Sequence, residues 1–227
     1  MASHSYDVLS RLKPQVPAGM VERATRWTSD SVPSVAAPAA SVILLRDSQD
    51  GLETYLLHRH AHMPFAASMV VFPGGRVDPI DAETGLDPIR RCAIRETAEE
   101  TGVFLDEAAL FPWARWITPA IEPRRYDTWF FVAAMPGDQE AVDISGETNL
   151  AEWSAPRTAL ADERSGLIKM LPPTMSILIE LTDLATVDDV INHATDRKIE
   201  PVLPRLLETE SGWQFRYPRT HSSETSS

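Results

Sequence analysis

Arg95-Glu96-Thr97-Ala98-Glu99-Glu100-Thr101-Gly102-Val103 places three carboxylates and one arginine in a single short stretch. On a helix, residues three and four apart are neighbours, so Glu96 shares a side with both Glu99 and Glu100. Left alone, the three charges repel one another. They also sit in the last turns of the helix, where the backbone dipole disfavours negative charge. A hard divalent cation with oxygen ligands offsets such an arrangement. Arg95 contributes to the balance but cannot neutralise all three carboxylates.

An acidic string of this kind usually marks a solvated face. Three surrounding features set this one apart. Gly102 stops the helix. Ile89, Ala93, Thr97 and Thr101 keep an i, i+4 spacing, with Ile94 and Ala98 alongside, which gives the helix an apolar face. Upstream, a strand ends in Phe72-Pro73-Gly74-Gly75, where glycine lets backbone approach a ligand closely and offers carbonyls as metal ligands. Asp87 reads as the N-cap and Pro88 as the first helical residue.

Two β-rich runs, Ala40–Leu45 and 52–60, are joined by Gln49–Gly51 and read as a hairpin, followed by a third strand over Ser68–Phe72. Residues 76–87 form an Asp-rich loop. Trp113–Ile117 and Tyr126–Met135 read as further strands. Residues 154–166 predict a short helix, 172–195 one or two more, and 198–218 an added strand or an edge cover. The first 35 residues are polar and proline-punctuated, with a short helix near Gly19–Trp27. The domain proper is therefore placed at 36–219, with 1–35 an N-terminal extension and 220–227 a disordered tail.

The net charge of −12 argues against a nucleic-acid or anionic-membrane surface, since both need clustered positive charge. It leaves room for a small anionic substrate, because a divalent cation and a few arginines make one pocket positive. A single cysteine, Cys92, fits a reducing compartment and reads as a buried thiol. With no leader pattern and no apolar run of spanning length, the expectation is a cytoplasmic protein, monomer or homodimer.

The stretch from Arg95 to Val103 resembles the second half of the Nudix box, GX5EX7REUXEEXGU with U aliphatic, departing only at Thr97. The first half is stretched. The acid reached by counting forward from Gly75 is Asp81, and that reached by counting back from Arg95 is Asp87; the counts differ by six residues, and Glu83 lies between. Which of the three replaces the box glutamate stays open. FPGG followed by an enlarged box is similar to the Nudix branch related to the peroxisomal coenzyme A diphosphatases. The segments LLHRHAHMPFAASMVVFPGG, RRYDTWFFVAAMP, EWSAPRTAL and LPPT agree with that branch. Its coenzyme A signature lacks its central glycine here, near Ala67 or Ser68.

The resemblance implies an α/β Nudix fold: an α/β/α sandwich around a mixed sheet, with extra helices in the C-terminal part. It implies Mg2+ or Mn2+ held by Glu96 and Glu100, with Glu99 a third ligand or a base, the Gly75 carbonyl available, and Arg95 orienting the glutamates. Glu147 and Glu152 are candidates for a separate base. Arg59, Arg124 and Arg125 suit bidentate phosphate binding, and Phe72 is the remaining substrate-side candidate. His58, His60 and His62 alternate along a strand but lack a fourth ligand for zinc.

The implied reaction is hydrolysis of a diphosphate bond in a small molecule, foremost coenzyme A or an acyl-coenzyme A, giving 3',5'-ADP and phosphopantetheine. NADH or ADP-ribose is the alternative substrate class. A non-catalytic ligand sensor of the same fold is the alternative from another class; retention of all three helix glutamates stands against it.

Overall fold

The computed structural model describes residues 8, 9, 12, 16–60, 66, 68–83, 85, 87–146 and 148–217. Its centre is a mixed sheet. β1 (Ala36–Ser48) and β2 (Gly51–Arg59) form the expected hairpin, with Leu45 opposite Thr54. The two strands then splay, and the chain at β3 (Val70–Val71) and β4 (Gly74–Arg76) enters between them. β3 pairs with β2 through Leu57 and His58, and β4 with β1 through Ala39–Ser41.

The sequence predicted one strand ending at Phe72. Pro73 breaks it, and the glycine pair continues as β4. At Gly74, φ is 155° and a Cβ would stand 2.4 Å from the Ala40 carbonyl oxygen, so only glycine fits. The Ser41 hydroxyl holds the joint by donating to the Pro73 carbonyl at 2.8 Å.

On its other edge β1 runs parallel to β6 (Arg125–Ala134), from Ala36 opposite Arg125 to Leu45 opposite Ala134. This pairing extends β1 well beyond the expected Ala40–Leu45. β5 (Phe111–Ile117) joins β6 antiparallel, and β7 (Thr148–Ser154), which the sequence left unassigned, joins β2. β8 (Pro201–Val202) lies parallel to β5. β9 (Arg205–Thr209) and β10 (Gly212–Arg216) make a separate two-stranded sheet.

Strand side chains alternate between faces, and two cores result. Ala40, Val42, Leu44, Tyr55, Leu57, Phe131 and Ala133 face α2 (Pro88–Thr101) with its Cys92 and Ala93. Ile43, Leu45, Leu56, Phe130 and Val132 face the opposite layer. There α3 (Pro156–Ser165), α4 (Pro172–Leu181) and α5 (Val187–Thr195) contribute Ala159, Ile177, Leu178, Leu181 and Val190. The 172–195 stretch is thus two helices. A further helix, α1 (Ala18–Arg26), precedes β1 and is tied to residue 122 by the Arg23–Glu122 ion pair, and Leu9 and Leu12 before it are buried in the second core. The arrangement is the α/β/α sandwich with C-terminal helices that the resemblance implied. The tail 220–227 lies outside the described residues.

Candidate active site

α2 starts and stops where its sequence dictates. The Asp87 carboxylate accepts from the Ile89 amide at 3.0 Å, Pro88 occupies the first turn, and Gly102 closes the helix at φ 70°. Thr97, at the aliphatic position of the motif, is fully buried. Its hydroxyl donates to the Ala93 carbonyl at 2.7 Å, so the polar atom is satisfied within the helix. A β-branched side chain of valine's shape therefore serves the core.

The other side of α2 carries the charges, and Arg95 is their hub. Its Nε and Nη2 donate to the two Asp81 oxygens at 3.0 and 2.9 Å. Nη1 donates to Glu96 at 2.8 Å and to Glu99 at 3.0 Å, and Nη2 also reaches the Arg76 carbonyl at 3.1 Å. The Asp81 bonds foremost, with Glu96 adding, raise the Arg95 pKa above its usual value, so the hub stays charged.

This geometry selects among the three acids. Asp81 sits in a 3-10 turn (Pro79–Ala82) with 1% exposure and also accepts from the Asp78 amide at 2.8 Å. Burial alone would raise its pKa; the Arg95 and Asp78 hydrogen bonds and the Arg95 and Arg91 charges outweigh that and lower it. Asp87 is spent as the helix cap, and Glu83 ends the 3-10 turn. The acid counted forward from Gly75 is therefore the one that meets the box arginine, and the six extra residues follow it.

Glu96 and Glu100 both turn towards the glycine pair. The Gly74 amide donates to Glu100 Oε2 at 2.7 Å, and Arg59 Nη1 lies 3.8 Å from Glu100 Oε1. The Glu96 carboxylate presses on Gly75 so closely that a Cβ there would stand 2.3 Å from its Oε1. Burial raises the Glu96 pKa against the pull of Arg95, and the Glu99 and Asp78 charges add to the rise. Below them the Cys92 thiol, wholly buried and with its pKa pushed up to about 12, donates to the Gly75 carbonyl at 3.4 Å. Glu99 leans outward on Arg95, with more than half of its side chain exposed.

The remaining candidates are dispersed. Arg59 joins the site through Glu100. Phe72 is a correction: it is 3% exposed and packs in the core on the α4 side, leaving no surface for a substrate. Arg125 is a second correction, because its guanidinium is committed to the Thr118 and Ser34 carbonyls at 3.0 and 2.6 Å. Arg124 is exposed just before β6. Glu152 stands opposite Leu56, on the sheet face away from α2, and pairs with His58 Nε2 at 2.9 Å. Glu147 and His62 lie outside the described residues. Ser41, which fixes the glycine pair, is a contributor that sequence patterns do not flag.

Among the described residues no three His, Cys, Asp or Glu side chains converge as a preassembled metal centre. The donor set nevertheless suits a hard cation of the magnesium type, which takes one or two carboxylates and completes its shell with water and substrate oxygens. Glu96 is a carboxylate that burial drives towards the neutral form, which an adjacent cation reverses. Glu100 meets the same glycine pair through the Gly74 amide. Among the described residues, no helix is long and apolar enough to cross a membrane.

Comparison with known proteins places the chain in a family. A family model described as the NUDIX domain matches residues 35–172. A Nudix hydrolase of Caenorhabditis elegans is 26% identical over 207 residues, covering 75% of this chain and 68% of that protein. Acyl-coenzyme A diphosphatase NUDT19 of Xenopus laevis is 29% identical over 111 residues, covering 46% of this chain and 29% of that protein. This chain thus spans under a third of the diphosphatase. Among solved structures, a NUDIX hydrolase from Alicyclobacillus acidocaldarius superposes with a TM-score of 0.64 at 24% identity, covering 70% of this chain and 96% of that one.

Proposed function

Since this chain belongs to the Nudix family of hydrolases, which act on diphosphate compounds with the help of divalent metal ions, we propose that its substrate is coenzyme A or an acyl-coenzyme A, cleaved with Mg2+ or Mn2+ to 3',5'-ADP and phosphopantetheine or its acyl derivative. The observation that carries the diphosphatase chemistry is the convergence of Glu96 and Glu100 on Gly74–Gly75, braced by the Arg95–Asp81 pair. The choice of coenzyme A rests on the enlarged box after FPGG and on the similarity to the acyl-coenzyme A diphosphatase. A cytoplasmic location is part of the same reading, from the lone cysteine.

Glu96, Glu100 and the Gly75 carbonyl would hold the cation. When bound, it supplies charge at the diphosphate oxygens and acidifies water for in-line attack. Arg95 holds Glu96 and Glu99 in fixed rotamers. Glu99, held by Arg95 at the exposed rim, is placed to act as a third ligand or to accept a proton from water. Arg59 sets the orientation of Glu100 and presents its guanidinium to a phosphate. Arg124 is the further cation offered to the substrate. Glu152 faces the other side of the sheet with His58, so Glu99 ranks first as base.

The signature's missing glycine falls near Ala67 or Ser68. Ala66 and Ser68 have φ of 51° and 58°, the left-handed conformation that glycine adopts without strain. A turn there forms despite the lack of glycine.

The test is to incubate the pure chain and Glu100→Gln with Mg2+ or Mn2+ and coenzyme A, NADH, ADP-ribose or nucleoside triphosphates. Release of 3',5'-ADP by the wild type alone supports the reading. Preference for NADH or ADP-ribose overturns the substrate; turnover of none, or equal turnover by both proteins, overturns the enzyme.

A further inference from the structure

The last carbonyls of α2 have no partner within the helix. Two of them are met by the segment after Ala141: Val142 N–H donates to the Thr101 carbonyl at 3.0 Å and Ile144 N–H to the Glu100 carbonyl at 3.3 Å. Asp143 stands between these donors, and its carboxylate gathers the turn that follows. Oδ1 accepts from the Ser145 amide at 3.0 Å and its hydroxyl at 2.9 Å, and Oδ2 accepts from the Thr148 hydroxyl.

Thr148 begins β7 opposite Arg59, which in turn lies beside the Glu100 carboxylate. A closed circuit results. Glu100 is bound at its backbone by Ile144 and at its side chain by Gly74 and Arg59, and Asp143 ties the two approaches together. Apolar packing does little for this segment, because Val142 is 48% and Ile144 58% exposed. A segment with few buried contacts depends on its polar bonds for order. The Asp143 carboxylate supplies them.

We propose that Asp143 is a positioning residue for Glu100 and Arg59, setting the site's affinity for its cation without touching cation or substrate. This rests on the reading of Glu100 as a metal ligand. A residue that merely stabilised a surface turn would leave cation binding unchanged.

The experiment titrates the full chain with Mn2+, following free ion by its paramagnetic resonance signal, beside thermal unfolding. Asp143→Ala is expected to bind Mn2+ about ten-fold more weakly, the lower end of the effect of removing supports around metal ligands, with unfolding close to wild type. Asp143→Asn and Thr148→Val, which spare part of the knot, are expected to weaken binding roughly three-fold, below that range, and they carry the test should Asp143→Ala not fold. Glu100→Gln separates the two claims. If it weakens Mn2+ binding while the Asp143 and Thr148 variants do not, the role of Asp143 is overturned. If Glu100→Gln binds Mn2+ like wild type, the metal-site reading itself fails.

Discussion

Arg95 holds Asp81 with two parallel hydrogen bonds, Nε to Oδ1 at 3.0 Å and Nη2 to Oδ2 at 2.9 Å. Removing one partner of a buried pair leaves the other charge uncompensated, at about 3–5 kcal/mol. Because Arg95 keeps Glu96 and Glu99, Asp81→Asn is expected to cost less, about 2 kcal/mol, and to lower kcat/KM by releasing the hub. Asp87→Asn should be nearly silent in both, since asparagine caps helices as well as aspartate. Denaturant unfolding and steady-state kinetics of the two variants give the comparison; equal effects would refute the assignment of Asp81.

Gly75→Ala places a Cβ where the Glu96 carboxylate now rests. The carboxylate must move, and divalent-ion affinity should fall by at least ten-fold, in line with misplaced metal-site geometry. Titration calorimetry with Mn2+ measures it. Gly74→Ala meets backbone instead, the Ala40 carbonyl, and is expected to lose folded protein rather than ion affinity alone.

Tyr217 is buried, and its hydroxyl has no hydrogen-bond partner among the described residues. An unsatisfied buried hydroxyl costs about 1–3 kcal/mol, so Tyr217→Phe is expected to stabilise by roughly 1 kcal/mol at neutral pH. Burial also raises the phenol's pKa above 10.0. Above that pH the unfolded chain loses a proton that the folded chain keeps, so wild-type stability declines as pH rises. Urea unfolding at pH 7 and pH 10.5 should show the Tyr217→Phe advantage growing with pH; a constant or shrinking gap contradicts the burial argument.

Ser68 occupies the left-handed region at φ 58°. A non-glycine residue there carries strain of about 1–2 kcal/mol, partly offset by the greater freedom glycine has when unfolded. Ser68→Gly should raise the melting temperature by a few degrees for a gain of about 1 kcal/mol. A lower melting temperature would mean that the serine is not strained.

Much of α2 was legible because its signals are local: a capping aspartate, a proline, a stop glycine and a 3.6-residue spacing of carboxylates. The sandwich followed through resemblance. What escaped depends on contacts distant in sequence. Pro38 and the alanines at 36–40 look like poor strand, yet they pair with β6 across ninety residues of chain. β7 has weak alternation and exists because β2 has a free edge beyond the hairpin. Asp81, Glu83 and Asp87 were left open by counting along the box, and the 3-10 turn that buries Asp81 under Arg95, with Asp87 taken up as the helix cap, separates them. Likewise, nothing in the residues around Glu152 says which sheet face it takes.

The placement of the box's extra residues between Asp81 and Asp87 bears on how such chains diverge. Apart from Arg59, the groups that grip the charges belong either to the run from Gly74 to Asp81 or to α2 itself, and the spacing within each run is unaltered. The added length falls between two fixed anchors. Loop length there can drift with little toll, much as a hinge pin holds whatever the width of the leaf. A strict count across the whole box would therefore pass over chains that keep the working geometry.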